Sequence, residues 1–251
     1  MKYTLPLKDA IFIRRYKRFL TDVRINNRII TVFCPNTGSM AGLLAEGNPV
    51  RISGPHGSRR KHQYTLEQIQ ITRPDSRKIW VGVNTSVPNK LAEEYFRRQP
   101  EGFFGYTSIK REVKIGDNSR IDLLLEGQDL PPCWVEVKNV TLVLPNPQYK
   151  NRQLNQGDIA AFPDAKTNRG VKHLNELMNR IEKGEKAAMV YVIQRADGDK
   201  FAPAIGYDPE YAEELIKAVK TGVEIIPLKA KVAQTGVYIL NQKLEIALPD
   251  Y

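Results

Sequence analysis

From Phe19 to Ile25 the chain alternates: Phe19, Thr21, Val23 and Ile25 on one side, Leu20, Asp22 and Arg24 on the other. That two-residue period belongs to a half-buried strand. Asn26-Asn27 then turns the chain into Arg28–Phe33, which predicts a hairpin. Pro49–Ser53, Tyr64–Ile71 and Arg77–Val83 read as further strands. Pro35-Asn-Thr-Gly38 reads as a turn into a short apolar helix, Met40–Ala45, closed by Gly47. About five strands, one small helix and no βαβ alternation predict a small closed barrel. An OB-like form is favoured, while SH3-like and other barrels also fit the pattern.

The texture changes after Pro88. Asn89 can cap a helix running to about Gln99, with Leu91, Ala92, Tyr95 and Phe96 as its apolar stripe. Strands follow at Thr107–Ile115, Arg120–Glu126 and Cys133–Val140, the first two joined by Gly116-Asp117-Asn118. Thr141 to Phe162 is polar and Pro-rich and reads as a long loop. A helix resumes near Thr167 and stops at Gly184, and Ala187–Gln194 is a continuous apolar strand of the kind buried on both faces. A helix at Pro209–Thr221 and strands at Val223–Lys229 and Gly236–Leu248 complete the chain. This order predicts a mixed sheet flanked by helices. The economical parse is two domains, 1–84 and 85–251.

No apolar run is long enough for a membrane span, and the first one, Ala10–Ile13, runs into Arg14 and Arg15, unlike a signal peptide. Cys34 and Cys133 lack metal-ligand spacing, which suits a reducing cytoplasm. Net charge is +10, and its placement matters more than its size. Residues 1–80 hold 15 Lys and Arg against 5 Asp and Glu, whereas residues 81–251 hold 23 of each. A segregated basic field attracts a polyanion such as a nucleic-acid backbone. DNA affinity is therefore expected mainly in residues 1–80. There Arg14, Arg15, Lys17 and Arg18 interleave with Tyr16 and Phe19, suiting backbone contact and base stacking. Alternation nevertheless favours Phe19 as core. Arg59, Arg60 and Lys61 form a second basic run, at an expected loop tip.

Asp122 interrupts the apolar strand Ile121–Leu125, and Trp134-Val-Glu-Val-Lys138 puts Glu136 and Lys138 on one strand face. Carboxylates held on adjacent strands repel unless a cation lies between them. Mg²⁺ or Mn²⁺ fits that demand, with the Val137 carbonyl as a further ligand and Lys138 as charge partner for phosphodiester chemistry. The competing explanation is a cross-strand ion-pair network. Glu112-Val-Lys114 and Asp164-Ala-Lys166 share the spacing but not the upstream acidic strand.

Arg15-Tyr-Lys-Arg-Phe19, Cys34-Pro-Asn-Thr-Gly38, Ser119-Arg-Ile-Asp122, Glu136-Val-Lys138 and Phe162–Gly170 with Lys172-His-Leu174 together resemble the sugar fermentation stimulation protein A family, over essentially the whole chain. The resemblance implies a mixed α/β protein: an N-terminal OB-like β-barrel plus a C-terminal α/β domain similar to PD-(D/E)xK nucleases. It also implies DNA binding with little sequence preference and a regulatory link to sugar (maltose) metabolism. Carried over by residue, Asp122 and Glu136 become metal ligands, Lys138 the catalytic lysine and Glu94 a further carboxylate from the first helix. The pattern alone does not separate Glu94 from Glu93, and each has an arginine four residues on. Arg169 and Lys172, near a helix start, are expected to meet phosphate, with His173 as a structural histidine. Two functions follow as alternatives: a metal-dependent endonuclease, or a non-catalytic DNA-binding regulator on a nuclease scaffold. A sugar-responsive binding protein is a third, unsupported by any aromatic platform.

Overall fold

The computed structural model describes residues 1–57, 61–115, 119–144 and 158–248. Its first sheet comprises β1 (Lys8–Tyr16), β2 (Leu20–Ile25), β3 (Arg28–Phe33), β4 (Pro49–Ser53), β5 (Thr65–Thr72) and β6 (Lys78–Gly82). The order is β3-β2-β1-β4-β5-β6, and a parallel contact at Phe33↔Thr65 joins β3 to β5, so the sheet curls back on itself. Phe12, Val23, Val32, Val50, Ile52, Leu66 and Ile69 fill the interior. The β1 strand escapes the sequence pattern because a bulge between Phe12 and Arg14 breaks its period. The helix expected at Met40–Ala45 is instead a run of turns. Met40 and Gly42 have φ of 54° and 76°, incompatible with a right-handed helix, yet Met40 and Leu43 still plug the barrel core.

The rest of the chain is built on a second six-stranded sheet. After α1 (Val87–Arg97) come β7 (Tyr106–Ile115), β8 (Ser119–Gly127) and β9 (Cys133–Val140). Then follow β10 (Leu142–Leu144), β11 (Ile159–Phe162), α2 (Asn168–Glu182), β12 (Lys186–Ile193), β13 (Lys200–Pro203) and α3 (Pro209–Thr221). The chain closes with β14 (Glu224–Ala233), β15 (Gly236–Lys243) and β16 (Glu245–Ile246). The main order is β15-β14-β12-β9-β8-β7, with β12 parallel to both β9 and β14 and the remaining pairs antiparallel. Alternate residues of β9 and β12 face opposite cores. Val135, Val137, Ala188 and Val190 pack toward α1, while Trp134, Met189 and Tyr191 pack toward α2 and α3.

Three expectations are corrected here. Asn89 does not cap α1: the helix begins two residues earlier behind Ser86, with Pro88 in its first turn, where a missing N–H costs nothing. The stretch Thr141–Phe162 is not all loop, since β10 and β11 pair antiparallel at its two ends. The intervening segment, with Lys150 and Arg152, lies outside the described residues. The last strand region divides, and β16 leaves the main sheet for a small one ordered β10-β11-β13-β16. Thr167 does cap α2, accepting from the Gly170 N–H at 3.0 Å. Both cysteines are free and buried. Among the described residues no helix is long and apolar enough to cross a membrane.

Candidate functional site

The antiparallel pairing of β8 with β9 ends at Leu123↔Val135, and one further step sets Asp122 against Glu136. Beyond that point a side chain replaces the backbone ladder: the Val137 N–H donates to Asp122 Oδ2 at 2.8 Å. Asn89, from the first turns of α1, donates to Asp122 Oδ1 at 2.7 Å. Burial raises the Asp122 carboxyl to about 7, and the nearby charge of Glu136 reinforces the rise against these two donors.

Glu136 responds in the opposite direction. It is 3% exposed, and burial alone would raise it, but Lys138 and His173 outweigh that and hold it at about 2. Lys138 Nζ donates to Glu136 Oε1 at 2.5 Å, and His173 Nδ1 meets the same oxygen. Arg169 Nε, which can only donate, reaches His173 Nε2 at 3.4 Å, leaving the Nδ1 proton for Glu136. Glu136 Oε2 is buried without a hydrogen-bond partner among the described residues. In an interior where such atoms are nearly always satisfied, this one is an acceptor awaiting a donor or cation.

Lys138 also lines a cleft of about 840 Å³ between the barrel and the second sheet. Arg15, Lys17 and Arg18 enter it from the barrel, Lys166 and Thr141 from the other side. Lys17 and Arg18 form the β1–β2 turn with φ of 48° and 63°, a left-handed pair in which neither residue is glycine. Arg15 holds this wall together. Its guanidinium donates to the carbonyls of Arg18 (2.6 Å), Gly38 (2.8 Å) and Asn36 (2.9 Å). Arg15 is thus first a scaffold for the loops that line the cleft. Asp164 clasps the two halves, accepting from the Met40 N–H at 2.8 Å, and a Cβ on Gly38 would lie 2.9 Å from its Oδ1. Arg14 is exposed but paired with Asp22 at 2.9 Å. Lys61 is exposed, whereas Arg59 and Arg60 lie outside the described residues. Phe19 is corrected from core to surface, 45% exposed at the turn.

The first-helix carboxylate is also corrected. Glu94 accepts from the Met1 ammonium at 2.9 Å and takes no part in the Asp122–Glu136 cluster. Glu93 is buried but engaged by Arg97 and Arg111, which hold it below the usual carboxylate range against the rise from burial. The helix residue that does reach the cluster is Asn89, a feature hidden in the sequence by its resemblance to a cap. Arg169 and Lys172 are exposed on the first turns of α2, and His173, expected as structural, lies inside the cluster. The one sequence cue was the four-residue spacing of Arg169 and His173. Among the described residues no three His, Cys, Asp or Glu side chains are grouped so that they could hold a metal ion.

A curled OB-type barrel joined to a mixed α/β sheet that presents Asp122 and Glu136-Val-Lys138 on neighbouring strands defines a barrel-plus-α/β protein. Residues 13–83 match the SfsA N-terminal OB domain and residues 86–236 the sugar fermentation stimulation protein RE domain. The chain belongs to the sugar fermentation stimulation protein family. A homolog from Geotalea uraniireducens is 43% identical over 96% of this chain and 98% of its own. One from Maridesulfovibrio salexigens is 45% identical over 95% and 93%. The solved structure of Pyrococcus furiosus SfsA in complex with Ca²⁺ is 27% identical, covers 98% of both chains and superposes with a TM-score of 0.83.

Proposed function

We propose that this protein binds DNA with little sequence preference and carries a divalent-metal-dependent phosphodiesterase centre at Asp122, Glu136 and Lys138. The observation that supports it most is the buried Glu136 Oε2, without a hydrogen-bond partner among the described residues, next to a second carboxylate, Asp122, on a strand whose Lys138 opens onto a basic cleft. Two hard carboxylate donors fit Mg²⁺ or Mn²⁺, and the Ca²⁺ complex of the Pyrococcus furiosus relative agrees with oxygen ligation. Asp122 and Glu136 would hold such an ion, which would supply Lewis-acid polarisation of a phosphodiester. Asn89 and the Val137 N–H orient Asp122. His173 and Lys138 keep Glu136 ionised through Oε1, leaving Oε2 without a partner among the described residues. The Lys138 ammonium stands where it can stabilise negative charge developing on phosphate oxygens. The cations of the cleft hold the backbone on either side.

A second reading draws on one specific feature. Lys138 already balances the charge of Glu136 and His173 hydrogen-bonds the same oxygen, so the cluster also stands as a structural network on a DNA-binding scaffold. A cytoplasmic regulatory role in sugar (maltose) metabolism, exerted through DNA, is the physiological side of either reading; the family's description, sugar fermentation stimulation, supports the link to sugar alone.

The test is incubation of supercoiled, linear and single-stranded DNA with Mn²⁺ and either wild type or Lys138→Ala. Nicking by wild type, falling at least on the order of a hundredfold in the variant, is the expected outcome. Retention on a gel without scission by either protein selects the non-catalytic reading.

A further inference from the structure

Four cations surround a second depression of about 760 Å³ that the chemistry above leaves unused. Lys114 and Arg120 come from β7 and β8, Arg169 and Lys172 from α2, and one carboxylate, Glu112, shares the rim. All four cations are exposed, and none forms an ion pair among the described residues. Their neighbours behave differently: Arg97 and Arg111 pair with Glu93, and Lys110 with Glu126.

Lys114 and Arg120 are also direct register partners across the β7–β8 ladder. Like charges in that position repel and lower stability. Helix α2 adds the positive end of its dipole, and its first turn has no acidic residue to offset it. Among the described residues the protein therefore maintains a net positive field here, four cations against one carboxylate, at a cost to its own stability, as expected where an anion is to be held. Its location is equally informative. His173 forms part of this depression, whereas Lys138 lines the cleft against the barrel, and both touch Glu136 Oε1. The carboxylate cluster is the partition between two basic depressions.

The geometry points to the Lys114–Arg120–Arg169–Lys172 depression as a second binding subsite for the phosphodiester backbone of DNA, so that a strand leaving the barrel-side cleft crosses the carboxylates and is gripped again beyond them. This rests on the DNA-binding reading above and extends it. The second grip lies wholly within the region whose formal charges cancel, where composition alone shows no basic field.

The test uses full-length protein and a fluorescent duplex, with binding measured across a salt series. The double variant Lys114→Ala/Arg120→Ala removes two cations outside the carboxylate cluster. Each lost phosphate contact lowers the slope of log affinity against log salt by about 0.9, so the variant is expected to lose about 1.8. A control, Lys183→Ala/Lys220→Ala, removes two exposed cations elsewhere and is expected to leave the slope unchanged. Lys114→Glu, which turns a repulsive cross-strand pair into an attractive one, is expected to melt at or above the wild-type temperature while binding DNA more weakly. A wild-type slope in the double variant, with wild-type DNA binding intact, overturns the second grip alone. A wild type that binds no duplex overturns this subsite and the DNA-binding reading together.

Discussion

Asp122 and Glu136 are chemically near-identical groups whose surroundings separate them. Asp122 is raised from 3.8 to about 7 by burial and by its neighbour's charge, while Glu136 is held at about 2 by a lysine and a histidine. The linkage has a definite sign. Between about 4 and about 7 the folded protein keeps a proton on Asp122 that the unfolded chain has released, so this residue makes folding less favourable as pH rises through that window. Glu136 acts the other way: its stabilisation is complete above 4.5 and is lost only as pH falls toward about 2. Asp122→Asn is therefore expected to gain urea resistance relative to wild type as pH is raised from about 4 to about 7, with no further change above. Parallel pH curves for the two proteins would contradict the assignment. Asp122, Glu136 and Lys138 were legible in the sequence because strand alternation alone puts Glu136 and Lys138 on one face and marks Asp122 as a charge among leucines. Asn89 and His173 were not legible as members of the cluster, since each arrives from a different helix and period-two arithmetic is silent about what a helix lays against a sheet.

Among the elements, the positions of α2 and α3 depend on one buried carboxylate. Asp208 accepts from the Tyr211 N–H at the start of α3 (3.2 Å) and from the N–H of Thr167, the residue capping α2 (2.8 Å). Asp208→Ala is expected to cost about 2 kcal/mol in urea unfolding, since it removes a helix cap and leaves a buried N–H unsatisfied. A loss below about 0.5 kcal/mol would show that water or a neighbouring group replaces it. Helices with strong apolar stripes and glycine stops were readable to within a few residues, as Pro209–Thr221 shows. The misread elements have local causes. Left-handed φ values at Met40 and Gly42 dismantle an expected helix, a bulge hides β1, and β10 and β11 are too short to display a period.

In the whole molecule, the barrel supplies one wall of a basic cleft and the mixed sheet supplies the other, with Asp164 fastening the loop 38–40 across the junction. The excess charge of residues 1–80 was visible from counting, and an OB-like barrel followed by a mixed sheet from the order of strand and helix patterns. The joint itself was not, because the partners Arg73, Asp158 and Asp197 lie far apart in sequence and come together only on folding. The central claim is that this architecture serves a divalent ion held by Asp122 and Glu136. Calorimetric titration of Mn²⁺ into wild type and Asp122→Ala at a pH above about 7, where Asp122 is ionised, tests it most directly. The account predicts saturable binding to wild type and none to the variant; equal affinity in the two proteins would contradict it.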